Sequence, residues 1–205
     1  RLALGGHRHV HSLLRPSRCA KPGASADFRH RLLGVGSRLM TNVLFNHRAD
    51  QVRLQVLSSV GFWLYQWKEL PLAAFAGLKL RSLDEGGCTV ILPGGWRTQN
   101  PFRSTYFAAQ AMAAEMSTGA PAMVLCRGSE ARVSMLVTEI RARFTKKIAG
   151  PSQFTFREIG AMAGTIERAA HTGEPATFTA RSLGRNAAGD VASEFEVEWS
   201  FKRRD

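Results

Sequence analysis

A single alanine-rich segment lies between stretches that alternate in the way strands do, and this order limits the fold more than any other feature. Residues 104–118 predict a helix, with Ser104 as its N-cap and with Gly119 and Pro121 suited to its end. The helix carries five alanines: Ala108, Ala109, Ala111, Ala113 and Ala114. Small side chains permit close approach, so the pattern predicts a sheet that curls around one central helix, an α+β arrangement.

The segments on either side of this helix alternate with a period of two residues. Residues 78–83 and 88–92 flank a Gly-Gly pair, which predicts a β-hairpin. Residues 132–145 predict a long strand with a bulge near Thr138, because the apolar side chains change face there and one extra residue flips the facing. The predicted helix therefore has strands both before and after it.

The C-terminal part of the chain continues the alternation. The pattern around Phe154 and Phe156 and over residues 176–180 predicts two more strands. Residues 161–170 predict a short helix between them. The last strand follows a turn at residues 186–190 and places large side chains on one face: Phe195, Val197, Trp199 and Phe201. We expect the strands to be mostly antiparallel.

Residues 54–67 form an apolar, aromatic-rich stretch that predicts a further helix before the first hairpin. Pro71 limits how far this helix extends, because proline cannot continue a helix interior. The stretch is too short to span a membrane. In one interpretation it packs on the domain, and in another it presents Trp63 and Trp67 to a membrane interface or a partner.

Positive charge is concentrated near the N-terminus. The net charge is +12, and residues 1–53 hold ten Lys/Arg against two acidic residues. Residues 1–52 show no sustained period, so we expect a basic N-terminal arm followed by a domain at residues 53–205. The arm is typical of a mitochondrial presequence or of a segment behind one, which predicts a location on the matrix side. Because the chain begins with Arg1, we expect an upstream segment to have been removed.

The cysteines and glycines exclude several classes of site. Cys19, Cys88 and Cys126 are too far apart and odd in number for a disulfide framework or a zinc site. A reducing compartment is the simplest interpretation. The Gly-Val-Gly at residues 34–36 lacks a third glycine and a preceding strand, and the chain has no P-loop. We expect no metal and no cofactor.

The segment NPFRSTYFAAQAMAAE, residues 100–115, leads into the predicted helix. Here the chain resembles the hotdog thioesterases of the phenylacetate-degradation type, in which an Asn precedes a His-Gly-Gly turn and an acid follows on the central helix. Asn100 matches the Asn and Glu115 matches the acid. The His-Gly-Gly positions are occupied by Tyr106, Phe107 and Ala108. The resemblance covers about residues 68–202, and it implies the hotdog fold and an acyl-CoA thioester as substrate.

Thioester hydrolysis needs a base that activates water and donors that stabilise the oxyanion. The amides near Phe107 and Ala108 lie at the positive end of the predicted helix, where they are unpaired. Glu115 shares a stripe with Ala108 and Met112, and an acid on an apolar stripe is desolvated, which raises its pKa. Alternatively, Glu115 lies near the helix end at Gly119, where it is solvated or pairs with an Arg in a dimer interface.

Two further features bear on the site. In the family that the chain resembles, the two glycines of the turn permit close approach of a ligand. Phe107 and Ala108 stand at these positions, and their larger side chains favour a closed site. Lys146 and Lys147 are basic residues of the kind that often receives the phosphates of coenzyme A in the family that the chain resembles. They equally fit a solvated strand end.

The sequence leaves two functions open. The first is an accessory structural subunit of a large mitochondrial assembly, either a respiratory or ATP synthase complex or a ribosome, and the altered turn and the basic arm favour it. The alternative is an active acyl-CoA thioesterase that hydrolyses a fatty or aryl acyl-CoA, with Glu115 as base or nucleophile and Asn100 orienting water or the carbonyl.

Partners follow from the resemblance and from the arm. Hotdog domains usually pair through their sheets, so the resemblance implies a homodimer or pairing with a related hotdog subunit. Residues 1–52 are expected to bind other subunits of a mitochondrial complex, with RNA or a membrane surface as further possibilities.

Overall fold

The computed structural model describes residues 44–204, which contain five helices and six strands. In chain order these are α1 His47–Leu57, α2 Ser59–Glu69, α3 Pro71–Ala76, β1 Lys79–Asp84, β2 Gly87–Leu92, α4 Phe107–Gly128, β3 Val133–Phe144, β4 Ser152–Phe156, α5 Ile159–Thr172, β5 Ala176–Arg185 and β6 Val191–Arg203. Residues 1–43 of the predicted basic arm lie outside the described residues.

The six strands form one antiparallel sheet in the order β1-β2-β4-β5-β6-β3, so β1 and β3 are its edges. The predicted hairpin is confirmed, since β1 pairs with β2 and Asp84 lies opposite Gly87 at the turn. The predicted bulge is also confirmed, because the register of β3 against β6 shifts between Val137 and Glu139.

The sheet curls around α4, which contacts strands β2 to β6. Ala113, Ala114 and Ala122 of this helix are fully buried, so their small side chains let the strands approach the helix closely. A buried pair of hydroxyls joins the two layers, with Oγ of Ser117 2.8 Å from Oγ of Ser182 on β5. The predicted inward set of β6 is buried on the same side of the sheet: Phe195, Val197, Trp199 and Phe201.

The predicted bounds of the central helix are wrong at both ends. Tyr106, not Ser104, is the N-cap residue, and the helix continues through Gly119 and Pro121 to Gly128. Proline removes one hydrogen bond of the helix, but the second half of α4 is buried on nearly every side, and that packing outweighs the local preference. Glu115 therefore lies in the middle of α4 and not near its C-terminal end.

The predicted helix at residues 54–67 is two helices. Ser58 separates them with extended backbone, and its Oγ accepts a hydrogen bond from the amide of Gly61, which caps α2. Pro71 does not only limit the preceding helix. It is the first residue of α3, a position where a missing N–H and a fixed φ are favourable.

The predicted domain boundary between residues 52 and 53 falls inside α1. Ala49 of this helix is buried, and a Cβ on Gly128 of α4 would come within 2.5 Å of the Ala49 Cβ. This crossing makes residues 44–52 part of the folded unit. Within residues 44–204, no helix combines the length and the apolar character that crossing a membrane requires.

Candidate functional site

Glu115 faces a cavity of about 480 Å³ between α3, α4, β3 and the loop that precedes α4. Ala108, Ala111 and Met112 lie on the same stripe of α4 and line this cavity, as predicted from their spacing. Most of the remaining wall is apolar and comes from Leu72, Phe75, Ala76, Ala109 and Ile140. The Glu115 carboxylate therefore lies in a mostly apolar cavity.

The carboxylate of Glu115 has no ion-pair partner among residues 44–204. Arg97 lines the same cavity, but its guanidinium lies beside Gly77 at the end of α3. Burial raises the pKa of Glu115, because desolvation penalises the charged form. The direction of this shift is the one that the apolar stripe predicts.

Gly119 provides the room that the Glu115 carboxylate occupies. A Cβ on Gly119 would lie 2.8 Å from Oε1 of Glu115 and 3.1 Å from the ring of Trp199 on β6. Trp199 is held in turn by Thr118, whose Oγ1 accepts a hydrogen bond of 3.0 Å from the indole Nε1 and donates one of 2.9 Å to the carbonyl of Glu115. Gly119 of α4 and Trp199 of β6 therefore border the space that the Glu115 carboxylate occupies.

The N-terminus of α4 has free amides. The amides of Ala109 and Gln110 both donate to the carbonyl of Tyr106. No side chain caps the helix, and within the described residues the amides of Phe107 and Ala108 have no backbone acceptor. Because these amides lie at the positive end of a 22-residue helix, they can stabilise negative charge on a bound group.

Asn100 has a structural role in the loop before α4. Its Oδ1 accepts hydrogen bonds from the amides of Phe102 and Ser104 at 3.0 and 3.1 Å and from the Ser104 hydroxyl at 3.0 Å. These bonds hold a tight loop in which Arg103 has a φ of 57°, the left-handed region. Among residues 44–204 the Nδ2 group of Asn100 has no acceptor, so the amide N–H remains free to bind a ligand.

A second cavity of about 610 Å³ lies on the other side of the loop. It is lined by Asn100, Tyr106, Phe107, Lys146 and Lys147, together with eight other residues. Both lysines already have partners, since Lys146 pairs with Asp190 at 3.1 Å and Nζ of Lys147 donates to the carbonyl of Phe102 at 2.8 Å. Both lysines line this cavity, and neither lines the first one.

Within one chain, the predicted site residues divide between the two cavities. Ala108 and Glu115 line the first, while Asn100, Phe107 and the two lysines line the second. Tyr106 lines both. The structure therefore does not bring Asn100 and Glu115 together in a single cavity of one chain.

Sequence reasoning missed the groups that position Glu115. Trp199 and Thr118 were predicted only as strand and helix residues, and Leu72 and Phe75 of α3 were not predicted to line a cavity. Gly119 was the available signal, because a glycine inside a helical pattern indicates a packing requirement as well as a helix end.

The described residues offer neither a metal site nor a reactive cysteine. Residues 44–204 hold no group of three or more His, Cys, Asp or Glu side chains that could bind a metal ion. Cys88 and Cys126 are buried free thiols. Burial raises the pKa of Cys126 to about 12 and that of Cys88 still further, so both stay protonated and unreactive.

No family model and no curated protein sequence matches the chain. Solved structures do. A Chlorobaculum tepidum protein of unknown function superposes with a TM-score of 0.61 at 14% identity, covering 72% of this chain and 98% of that one. A Pseudomonas aeruginosa protein described as a probable thioesterase gives 0.58 at 19% identity, covering 71% and 96%. At these identities the likeness establishes the fold, and the predicted hotdog architecture is confirmed.

A Staphylococcus aureus thioesterase is a third match. Its TM-score is 0.51 at 14% identity, over 64% of this chain and 98% of that one, in a crystal where alanine replaces a glutamine. In another crystal of the same protein, alanine replaces a glutamate fifteen positions further along the chain.

Proposed function

We propose that this protein hydrolyses acyl thioesters of coenzyme A, with Glu115 as the base that activates water. The observation that carries the proposal is the Glu115 carboxyl group, which lies in an apolar cavity without an ion-pair partner in residues 44–204. Burial raises its pKa, and a carboxylate with a raised pKa is a stronger base.

The free amides at the start of α4 supply the second requirement. Ala108 lines the same cavity as Glu115. Seven residues separate them, which is about 10 Å along a helix axis. A thioester carbonyl near the Ala108 amide and a water near Glu115 fit between the two groups.

A second copy of the chain completes the site in this proposal. β3 is an edge of the sheet and exposes apolar side chains at Leu136, Ile140 and Phe144, which suits pairing with another sheet edge. Ile140 also lines the Glu115 cavity. A two-fold related copy would bring its own Asn100 loop toward this cavity and supply the free Nδ2 donor that one chain keeps in a separate cavity.

Lys146 and Lys147 are proposed to receive the phosphates of coenzyme A at the 610 Å³ cavity. Both are surface groups, so each can exchange its present partner for a phosphate without leaving a buried charge unpaired.

The spacing of the candidate residues agrees with the Staphylococcus aureus thioesterase, because Asn100 and Glu115 are fifteen positions apart, like the two residues replaced there.

The test is hydrolysis of a series of acyl-CoA and aryl-CoA esters by the purified full chain. Wild type should release free coenzyme A, and Glu115→Gln should lose activity by about 100-fold or more, because a general base typically contributes this much. Glu174→Gln is the matched control, since Glu174 is exposed beyond the end of α5. Equal rates for wild type and Glu115→Gln with every ester would contradict the proposal.

An accessory structural subunit of a mitochondrial assembly on the matrix side is a second candidate. Two observations favour it. Tyr106 and Phe107 fill the turn with packed aromatic rings 4.8 Å apart, and the Asn100 oxygen is already engaged. The native size of the protein in gently solubilised mitochondria tests it. Sedimentation with a megadalton particle supports the role, and sensitivity to nuclease then indicates a ribosome. Recovery only as a small oligomer contradicts it.

A further inference from the structure

The outward face of α2 is apolar. Four large side chains recur there at spacings of three and four residues: Val60, Trp63, Leu64 and Trp67, with 70%, 56%, 57% and 48% of their surfaces exposed. The opposite face is buried through Phe62 and Gln66. A helix with one buried face normally has a polar outer face. These four residues, here called the α2 stripe, depart from that rule.

We propose that the α2 stripe docks the protein on the surface of an anionic lipid bilayer, with α2 lying in the plane of the interface. Two of the four side chains are tryptophans, whose rings contact each other edge to face at 6.4 Å. Tryptophan has a large apolar ring and one N–H donor, so it prefers the boundary between headgroups and acyl chains to water or hydrocarbon.

The charge of the protein specifies an anionic surface. The chain has 28 Lys/Arg against 16 Asp/Glu, a net charge of +12. Lys68 follows the stripe on α2 with a well exposed side chain, and its ammonium group pairs with the Glu69 carboxylate at 3.1 Å. Because an exposed pair of this kind contributes little, Lys68 can exchange Glu69 for a lipid phosphate. Basic groups near an anionic leaflet add an electrostatic attraction to the burial of apolar side chains, and together these two terms determine the strength of interfacial binding.

The fixed position of α2 favours docking over insertion. Nε2 of Gln66 donates to the carbonyl of Leu78 at 3.1 Å, and the Tyr65 hydroxyl contacts the Met123 sulfur of α4 at 3.6 Å. Eleven residues span about 16 Å, half of a bilayer core. The helix therefore stays on the domain and offers only its outer face to the lipid.

A second copy of the chain is a less suitable occupant of the stripe. Edge strand β3 and the cavity beside it already present the surface expected to pair two copies. α2 lies outside the sheet and does not line that cavity. Lipid docking also does not depend on thioester hydrolysis, so a protein without hydrolase activity can still bind vesicles.

The experiment is co-sedimentation of the full chain with vesicles of mixed phosphatidylcholine and phosphatidylglycerol, and with vesicles of phosphatidylcholine alone. Wild type should bind the anionic vesicles more tightly, and added salt should weaken that binding. Trp63→Ala/Trp67→Ala should weaken it by about tenfold or more, because two interfacial anchors are lost. Trp96→Ala, which removes an indole 74% exposed in the loop before α4, should bind like wild type.

Quenching of tryptophan emission by bromine-labelled lipid locates the contact. Trp63→Phe/Trp67→Phe keeps the apolar stripe, so this variant should sediment with vesicles but lose most of the quenching. No binding to anionic vesicles, or unchanged binding by the double alanine variant, would overturn the proposal. A smaller oligomer for that variant in light scattering without lipid would also overturn it, since the stripe would then be a protein interface.

Discussion

The ring of Trp199 and the carboxylate of Glu115 share the space that Gly119 leaves open, each about 3 Å from the position a Cβ would take there. Trp199 is 3% exposed and is fixed by its hydrogen bond to Thr118, so it cannot retreat. Glu115 is the end of a flexible side chain and can move. The absence of a side chain at Gly119 therefore leaves the room that the Glu115 carboxylate uses beside the cavity.

Gly119→Ala should displace Glu115 and destabilise the protein. Alanine gains about 1 kcal/mol of helix propensity over glycine, but overpacking costs about 1–3 kcal/mol and the indole cannot yield. We expect a net loss of about 1 kcal/mol in urea denaturation. Gly164→Ala in α5 is the matched control, because a Cβ there meets no atom within 4 Å. It should be more stable than wild type, and equal gains for both variants would contradict the crowding at Gly119.

Thr118→Val should leave the buried indole N–H of Trp199 without its acceptor. An unsatisfied buried donor costs about 1–3 kcal/mol. Trp199→Phe removes the donor as well, so the further cost of Thr118→Val in that background should be much smaller. Denaturation of the two single variants and the double variant measures this coupling. Additive losses would show that the hydrogen bond contributes nothing specific.

The strands could be predicted from the sequence because successive side chains of a strand point to opposite faces of the sheet. Where one face is buried, apolar residues therefore recur at every second position. The bulge at Thr138 follows from the same rule. The end of α4 could not be predicted, because Gly119 and Pro121 are local signals and the packing that overrides them comes from distant strands. The break between α1 and α2 at Ser58 has a local feature instead, because the Ser58 hydroxyl caps the start of α2.

Asn100 and Glu115 could be identified from their spacing, but their surroundings could not. Glu115 and Trp199 both border the space at Gly119 although they are far apart in the chain, and no periodicity indicates this. The loop bonds of Asn100 depend on the left-handed conformation of Arg103, which is not a residue type that favours φ above zero. Residue identity indicates which groups are candidates for chemistry, and tertiary contacts determine their surroundings.

Gly128→Ala should destabilise the crossing of α1 and α4. The added Cβ would come within 2.5 Å of the Ala49 Cβ and within about 3 Å of its backbone, so α1 must move as a unit. We expect a loss of about 1–3 kcal/mol and faster proteolysis within residues 47–57. Ala49→Gly in the same background should restore part of the stability. An unchanged cleavage rate would mean that α1 is not packed on α4.

The raised pKa of Glu115 predicts how stability depends on pH. The folded state holds the proton more tightly than the unfolded state, so this contribution is complete at pH values below the usual Glu pKa and is lost as pH rises through the raised pKa. Glu115→Gln lacks the titration. Its stability relative to wild type should therefore increase as the pH rises above about 4, the usual pKa of Glu. Urea denaturation over a series of pH values measures this change, with Glu174→Gln as the control variant. An opposite slope would indicate a cationic partner for Glu115.

The two roles of Asn100 can be separated by substitution. Asn100→Asp keeps the oxygen that accepts three hydrogen bonds in the loop, while Asn100→Ala removes it. We expect Asn100→Ala to lose about 1 kcal/mol of stability and Asn100→Asp to stay close to wild type. If the free Nδ2 group binds the thioester carbonyl across a pair of chains, both variants should lose about 100-fold or more in kcat/KM, as removal of an oxyanion donor does. Hydrolysis by Asn100→Asp at the wild-type rate would show that Asn100 only stabilises the loop and does not bind the thioester.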